Sequence, residues 1–282
     1  MDFKEAIDNI AKQCEINNPK NENDYYDDEG FLVCGNCHER KQTEIMLFGE
    51  VKRPFCLCKC QAAKREEEEL RIKQEERRKK IAEMRFNAFP KEEREKMQKC
   101  TFENDDMANK RMTQAMKNYV DNFKMFREQG KGLLLYGVCG TGKTYAACEV
   151  ANALLDEGYS VIVTNFARIL NNIQSTFEKQ EYIDGLNEHS LLVVDDLGIE
   201  RGTEYAKEQV YNIVDSRYRA GLPMIITTNL TMDEMKNPET ITDKRIYERI
   251  LEKCHPIEVK GENRRRKAIR NEYEEMQNLL GL

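Results

Sequence analysis

The chain has 282 residues, 34% of them Asp, Glu, Lys or Arg, and a formal net charge of −6. Such a length suits one large domain with an appendage. The acidic balance excludes a polycation that coats nucleic acid indiscriminately, so any nucleic-acid contact must come from local basic surface.

Met1-Asp2-Phe3-Lys4-Glu5 is not an apolar leader, and no apolar run approaches the ~20 residues that span a bilayer. A cytoplasmic protein with no membrane partner is therefore expected. Cys34-Gly35-Asn36-Cys37 is followed by Cys56-Leu57-Cys58-Lys59-Cys60. In a reducing compartment, clustered thiols point to metal rather than to disulfides. A thiolate pair on a tight turn, closed by a second thiolate group, builds a tetrahedral zinc site. Phe31, Val33, Ile45, Leu47, Phe48, Val51 and Phe55 are too few for a self-sufficient core, so Zn²⁺ would supply much of the folding free energy. Cys34 and Cys37 with two of Cys56, Cys58 and Cys60 are the expected ligands, and the sequence does not choose between them. Cys34 to His38 also fits the C-x-x-C-H haem signature, which needs export and leaves the later cysteines without a role. A Cys₄ iron–sulfur cluster and unliganded thiols are further readings. Cys14, Cys100, Cys148 and Cys254 read as packing residues.

From Gln61 to Lys99 the chain is dominated by Glu, Lys and Arg, as in Glu66-Glu67-Glu68-Glu69 and Arg77-Arg78-Lys79-Lys80. Helix propensity is high, but Leu70, Ile72, Ile81 and Met84 are too sparse for a heptad seam. The stretch reads as a solvated helical spacer, or more sharply as a surface that docks a partner or phosphates, and Pro90 should break it. Three regions follow: a zinc-binding, partner-binding module over 1–60, a charged helical linker over 61–98, and a core domain over 99–282.

The apolar run Gly132-Leu133-Leu134-Leu135-Tyr136 leads into Gly137-Val138-Cys139-Gly140-Thr141-Gly142-Lys143-Thr144, which matches G-x-x-x-x-G-K-[ST] without exception. The glycines let backbone N–H groups wrap phosphates closely, and the following helix, Tyr145 to Leu155, adds the partial positive charge of its N-terminus. The loop from Gly137 to Tyr145 is thus the expected nucleotide cradle, with the Cys139 side chain incidental. Lys143 would reach the β- and γ-phosphates and Thr144 would hold Mg²⁺. Ser160 to Thr164 reads as a strand and Phe166 to Phe177 as a helix. Ser190 to Gly198 is an apolar strand ending in Asp195 and Asp196, where open α/β sheets bind ligands. Asp195 would serve Mg²⁺ through water, and Asp196 would orient or deprotonate the attacking water. A helix over Lys207 to Arg219, a strand over Pro223 to Asn229, a helix over Thr242 to Lys253 and a strand over Ile257 to Lys260 complete the alternation expected of an α/β parallel sheet. Arg245 and Arg249 share a helix face and can point at a single anionic site, unless Glu248 and Glu252 neutralise them in a solvated helix.

This ordered set resembles the AAA+ ATPases, and within them the DnaC/DnaI-type helicase loaders and the related IstB transposition ATPases. The resemblance covers Lys99 to Lys267, and the cysteine module looks like the N-terminal zinc region of DnaI-like and phage loaders. It implies a P-loop core with a five-stranded parallel sheet flanked by helices. Cys100-Thr101-Phe102-Glu103-Asn104 looks like the short motif that precedes the core, and Asp195-Asp196-Leu197-Gly198 is the family's preferred acidic strand end. Thr227-Thr228-Asn229 resembles sensor 1, so Asn229 would position water against the γ-phosphate. Arg245 to Arg249 resembles the box that supplies an arginine finger across a subunit junction, which implies a ring or helical oligomer. Gly261-Glu262-Asn263-Arg264-Arg265 stands where these proteins carry Gly-x-Ser-Tyr-Arg. Arg265 is then the sensor-2 residue, although Asn263 and Arg264 depart from the pattern and the role could fall among Arg264, Arg265 and Arg266. Asp196 replaces the Glu of many AAA+ proteins, which implies slow hydrolysis, and the single short helix past Lys267 implies a reduced lid. As a whole the resemblance implies a weak ATPase using ATP, Mg²⁺ and Zn²⁺. Its N-terminal module would hold a replicative hexameric helicase while the core binds single-stranded DNA, with the Phe166 to Phe177 helix and Arg168 as possible contacts. An IstB-like role in transposition and a nucleotide switch with negligible hydrolysis are the alternatives.

Overall fold

The computed structural model describes residues 20–47, 49–198 and 203–280. Cys14, Phe48 and the opening residues lie outside the described residues. The chain divides into two compact units, one up to Arg78 and one from Lys79 onward.

In the first unit two short antiparallel pairs form, β1 (Tyr25–Tyr26) with β2 (Leu32–Val33) and β3 (Ile45–Leu47) with β4 (Glu50–Lys52). Phe31, Leu32, Val33, Cys34 and Cys58 are buried, but Ile45 and Val51, expected in the core, are 41% and 54% exposed. A two-stranded ribbon this small cannot cover both of its faces. A buried ion pair takes their place: Lys41 Nζ lies 2.7 Å from Asp24 Oδ2, with both side chains sealed from solvent. The charged stretch forms a helix, Lys59–Ala88, that ends just before Phe89-Pro90. Arg65 pairs with Glu69, and Arg71 with Glu68 and Glu75, along its exposed surface. Such exposed pairs add little to stability, so the helix is a solvated one.

The second unit is built on five parallel strands: β5 (Gly132–Tyr136), β6 (Val161–Asn165), β7 (Leu191–Leu197), β8 (Met224–Thr228) and β9 (Cys254–Glu258), in the spatial order β6-β7-β8-β5-β9. Helices cover both faces, which explains the unbroken apolar strand sequences. Leu133 and Leu135 of β5 face one cluster with Met116, Phe123, Val150 and Leu154. Leu134, between them, faces the other with Phe166, Ile169, Ile213 and Ile250. The last strand lies at 254–258 rather than 257–260, with Gly132 paired to Cys254 and Tyr136 to Glu258. His255 and Pro256 disguise it, and Pro256 is accommodated because β9 is an edge strand. The Phe166 helix stops at Ser175, leaving Phe177 fully exposed. Helices at Lys110–Asp121, Phe123–Gln129, Lys179–Asn187 and Met232–Lys236 add to those expected.

Two backbones meet at the lower end of β5 and β8. A Cβ on Gly132 would lie 1.8 Å from the Met224 carbonyl oxygen, and one on Gly130, at φ +63°, would lie 2.6 Å from that of Gly221. Only glycine permits this approach. At the other end of the sheet the ladder between β7 and β8 slips between Val194 and Leu197. That bulge places Asp196 in the left-handed region, at φ +58°, a conformation Asp tolerates better than most residues.

Candidate nucleotide site and cysteine cluster

Strand β5 delivers the glycine-rich loop, and the helix Lys143–Glu157 starts at its last lysine. Gly140 sits at φ +83°, where a Cβ would collide with Asn263 Oδ1 at 2.2 Å. Lys143 is 5% exposed. Its ammonium donates to the carbonyls of Gly137 and Val138, each at 2.9 Å, and to Asn229 Oδ1 at 2.8 Å. Burial holds its pKa below the usual lysine value. One side chain thus ties the loop to the tip of β8.

Thr144 Oγ1 donates to Asp195 Oδ1 at 2.9 Å, and Thr227 Oγ1 donates to the same oxygen. The Thr227 hydroxyl in turn accepts the backbone N–H of Asp196 at 3.0 Å. Burial raises the Asp195 pKa, the Thr227 bond opposes that, and the charge of Asp196 adds to the rise. An adjacent hydroxyl and carboxylate form the hard oxygen donor set that Mg²⁺ accepts, so Thr144 and Asp195 fit that ion. The sequence marks Thr227 only as part of the sensor-1 resemblance; its bond to Asp195 arises when β8 is laid beside the bulge of β7.

Tyr145 turns its hydroxyl to the Thr101 carbonyl, at 3.3 Å, so its backbone alone remains at the loop. Asn152, on the same helix, donates to the carbonyls of Met97 and Cys100, each at 2.9 Å, and holds the preceding motif in place. From the C-terminal side, Arg265 Nη1 lies 3.8 Å from Cys139 Sγ, and Asn263 Nδ2 donates to the Cys139 carbonyl at 3.1 Å. Arg264 turns elsewhere, to Asp106 at 3.1 Å, while its N–H donates to the Gly140 carbonyl.

The structure does not bring Arg245 and Arg249 to one point. Arg249 Nε lies 2.6 Å from Asp215 Oδ1, and its guanidinium is 4.6 Å from the centre of the Tyr211 ring. Asp215, on the helix Glu204–Arg219, is therefore its counter-charge, not Glu248 or Glu252. Glu252 accepts from Tyr218 and Glu248 approaches Lys244. Arg245 is exposed. On the Phe166–Ser175 helix, Phe166 belongs to the core and Arg168 pairs with Glu92 at 2.8 Å, so neither is a free stacking or phosphate-binding group.

In the first unit the Sγ atoms of Cys34, Cys37, Cys58 and Cys60 all lie within 4.8 Å of one another. A tetrahedral Zn–S site places its sulfurs ~3.8 Å apart, and Cys34 and Cys60 are at 3.5 Å. Four thiols at this spacing fit Zn²⁺. Cys56 stands aside, its thiol directed to the Arg40 carbonyl at 3.7 Å. The N–H groups of Cys37 and Asn36 lower the Cys34 pKa to about 6, while burial raises Cys58 and its neighbouring thiols push Cys60 up to about 12. Asp24, paired with Lys41, accepts the Gly35 N–H at 3.1 Å and so braces the turn. His38 lies 3.2 Å from the Tyr25 hydroxyl through Nδ1, outside the sulfur cluster.

The model of the IstB-like ATP binding protein family matches residues 65–272. The chain belongs to this family. It is 31% identical over 181 residues to the replicative helicase loader DnaI of Bacillus subtilis (strain 168), covering 59% of this chain and 58% of that relative. It is 29% identical over 143 residues to the replicative helicase loader DnaC of Escherichia coli (strain K12), covering 49% of this chain and 58% of that relative. The chain thus spans somewhat under two thirds of either relative. A crystal structure of DnaI superimposes with a TM-score of 0.50 at 26% identity, over 60% of this chain and 92% of that one. The core of this IstB-like protein is accordingly an AAA+ P-loop core, with a cysteine cluster in its N-terminal unit. Among the described residues no helix is long and apolar enough to cross a membrane.

Proposed function

We propose that this IstB-like protein is an ATP-dependent loader of a replicative hexameric DNA helicase onto single-stranded DNA, working in the cytoplasm. The observation that carries the reading is the convergence of Lys143, Thr144, Asp195 and Asn229 at the upper ends of β5, β7 and β8. It is joined by the likeness to relatives named as replicative helicase loaders. The loop from Gly137 to Tyr145 would hold ATP with Arg265 above it, and Thr144 and Asp195 would hold Mg²⁺. When bound, the metal neutralises charge on the phosphates. Lys143 would then exchange its loop carbonyls for phosphate oxygens, and Asn229 and Asp196 would orient the attacking water. Asp196 is one methylene shorter than Glu, which supports a weak ATPase. Arg245 is exposed and free to act as a finger toward a neighbouring copy, whereas Arg249 must first leave Asp215. The region 1–60, with Zn²⁺ on Cys34, Cys37, Cys58 and Cys60, would hold the helicase. The charged helix over 61–98 would connect it to the 99–282 ATPase domain.

The test is release of a short strand annealed to protein-coated single-stranded DNA by the cognate hexameric helicase, with the full chain and ATP supplied. Stimulation that disappears in Lys143→Ala is expected, and no stimulation by the intact chain would sink the proposal. The family match favours one second reading, an ATPase that assists DNA transposition. Binding to a transposase instead of the helicase would favour it.

A further inference from the structure

The C-terminal helix, Arg264–Leu280, carries more than the Arg265 used above. Ile269, Tyr273, Met276 and Leu280 follow one another at intervals of four, three and four residues, which places them on one helix face. They are 63%, 63%, 58% and 66% exposed. Single apolar side chains on a surface are ordinary, but a continuous stripe of four marks a contact. The first turn of the helix is pinned to its own nucleotide loop. The Arg264 N–H donates to the Gly140 carbonyl, and the Arg264 side chain pairs with Asp106.

The same unit holds a groove of about 970 Å³ between the Lys110–Asp121 helix and the edge strand β9. Buried Met112, Tyr119 and Leu133 lie deepest in it, and half-buried Ala115, Phe126 and Ile257 border them. Most of its polar groups are exposed side chains, which orient a charged partner rather than grip a small ligand. Among the described residues, none of the C-terminal helix lines the groove. The helix therefore does not fill the groove of its own chain. An apolar channel of this kind takes an amphipathic helix through anchors spaced three and four residues apart.

We propose that the C-terminal helix of one copy seats its apolar stripe in this groove on a second copy. The lengths agree. Ile269 to Leu280 covers ~16 Å along a helix, and the five residues of β9 extend over ~16 Å. The charges agree as well. Arg111, Lys131, Lys253 and Lys260 line the groove against two carboxylates, Glu252 and Glu258, so its rim is net positive. Glu258 is already paired with Lys260 at 3.0 Å, and Glu252 accepts from the Tyr218 hydroxyl. Beyond Arg270 the helix has no Lys or Arg and carries Glu272, Glu274 and Glu275. An acidic half-helix thus meets a basic rim, which fixes both partner and direction. Stripe and groove are different surfaces, so the contact is heterologous and repeats from copy to copy into a ring or a filament. It depends neither on the nucleotide nor on the finger assigned to Arg245.

The experiment is sedimentation velocity of the full chain over a concentration series, without nucleotide. Wild type should associate reversibly, and Met276→Asp on the stripe and Ala115→Arg in the groove should each weaken that association by about tenfold or more. Lys260→Glu, at an exposed rim position, should weaken it too and replaces Ala115→Arg should that variant fail to fold. Mixing the stripe variant with the groove variant is the sharper arm, because the first keeps its groove and the second keeps its helix. The mixture should form a heterodimer, and nothing larger, at concentrations where each variant alone is monomeric. A groove variant that associates like wild type while Met276→Asp does not shows the stripe pairing with itself, and overturns the proposal. A mixture that stays monomeric overturns it, as does a wild type that is monomeric throughout. None of these results touches the ATP reading, which nucleotide affinity tests separately.

Discussion

Replacing Thr227 with Val tests whether one hydroxyl organises the acidic end of the nucleotide site. The shape is nearly unchanged, so no cavity opens, but two bonds vanish: the one donated to Asp195 and the one accepted from the Asp196 N–H. A hydrogen bond to a charged group contributes about 1.5–3 kcal/mol, and an N–H left without an acceptor costs about 1–3 kcal/mol. Asp195 and Asp196 are only half-buried, so water recovers part of this and a net loss of about 2–3 kcal/mol is expected near pH 8. The sign with pH follows from the raised Asp195 pKa. A carboxyl raised on folding contributes stability that is complete below its unfolded value near 3.9 and is lost as pH rises through the folded value. Without Thr227 the folded value rises further, so that loss moves to higher pH, and Mg²⁺ must displace a more firmly held proton. Thermal unfolding across pH, with ADP titrations with and without Mg²⁺, measures both effects. Thr228→Val is the control, because Thr228 donates to the Leu197 carbonyl at 2.7 Å and accepts from the Leu230 N–H at 3.1 Å. Both variants should melt lower, and only Thr227→Val should lose tenfold or more of its Mg²⁺-dependent affinity, or about 1.4 kcal/mol. Equal losses in the two variants, or an unchanged Mg²⁺ increment in Thr227→Val, would refute the reasoning.

Three further outcomes are expected. Cys56→Ser should retain one zinc per chain by metal analysis, whereas Cys58→Ser should lose it and unfold the first unit, since Cys58 belongs to the sulfur cluster and Cys56 does not. Arg249→Ala should lower the melting temperature only slightly, by about 0.5–1 kcal/mol, because Asp215 keeps Arg219 as a partner at 2.8 Å. Arg245→Ala should leave the melt unchanged yet reduce ATP turnover at concentrations where the chain self-associates. Asp196→Glu should raise single-turnover hydrolysis, and the left-handed backbone there should make the variant slightly less stable in denaturant titration.

Much of this architecture is legible in the residues themselves. β5 and β7 announce themselves because both faces of each are buried, and the loop because phosphate chemistry demands its glycines and lysine in close succession. The Lys110–Asp121 helix is absent from the expected elements, although Met112, Met116, Tyr119 and Val120 recur at helical spacing and are buried. What the sequence cannot show is the work of strands and helices distant in the chain. Thr227 reaches Asp195 only through the β7–β8 bulge. Arg249 meets Asp215 rather than its sequence neighbours because the Glu204–Arg219 helix packs beside it.

The crossing of Gly130 and Gly132 with Gly221 and Met224 has a practical bearing on labelling. No dye, tag or crosslinker can be attached at Gly130 or Gly132 without prising apart the two strands that carry the lysine loop and Asn229. Gly158 and Gly185 are different, since a Cβ at either meets nothing within 4 Å. A cysteine at Gly185 is the better handle for a spectroscopic label, because Gly158 sits at φ +92° and would resent any side chain.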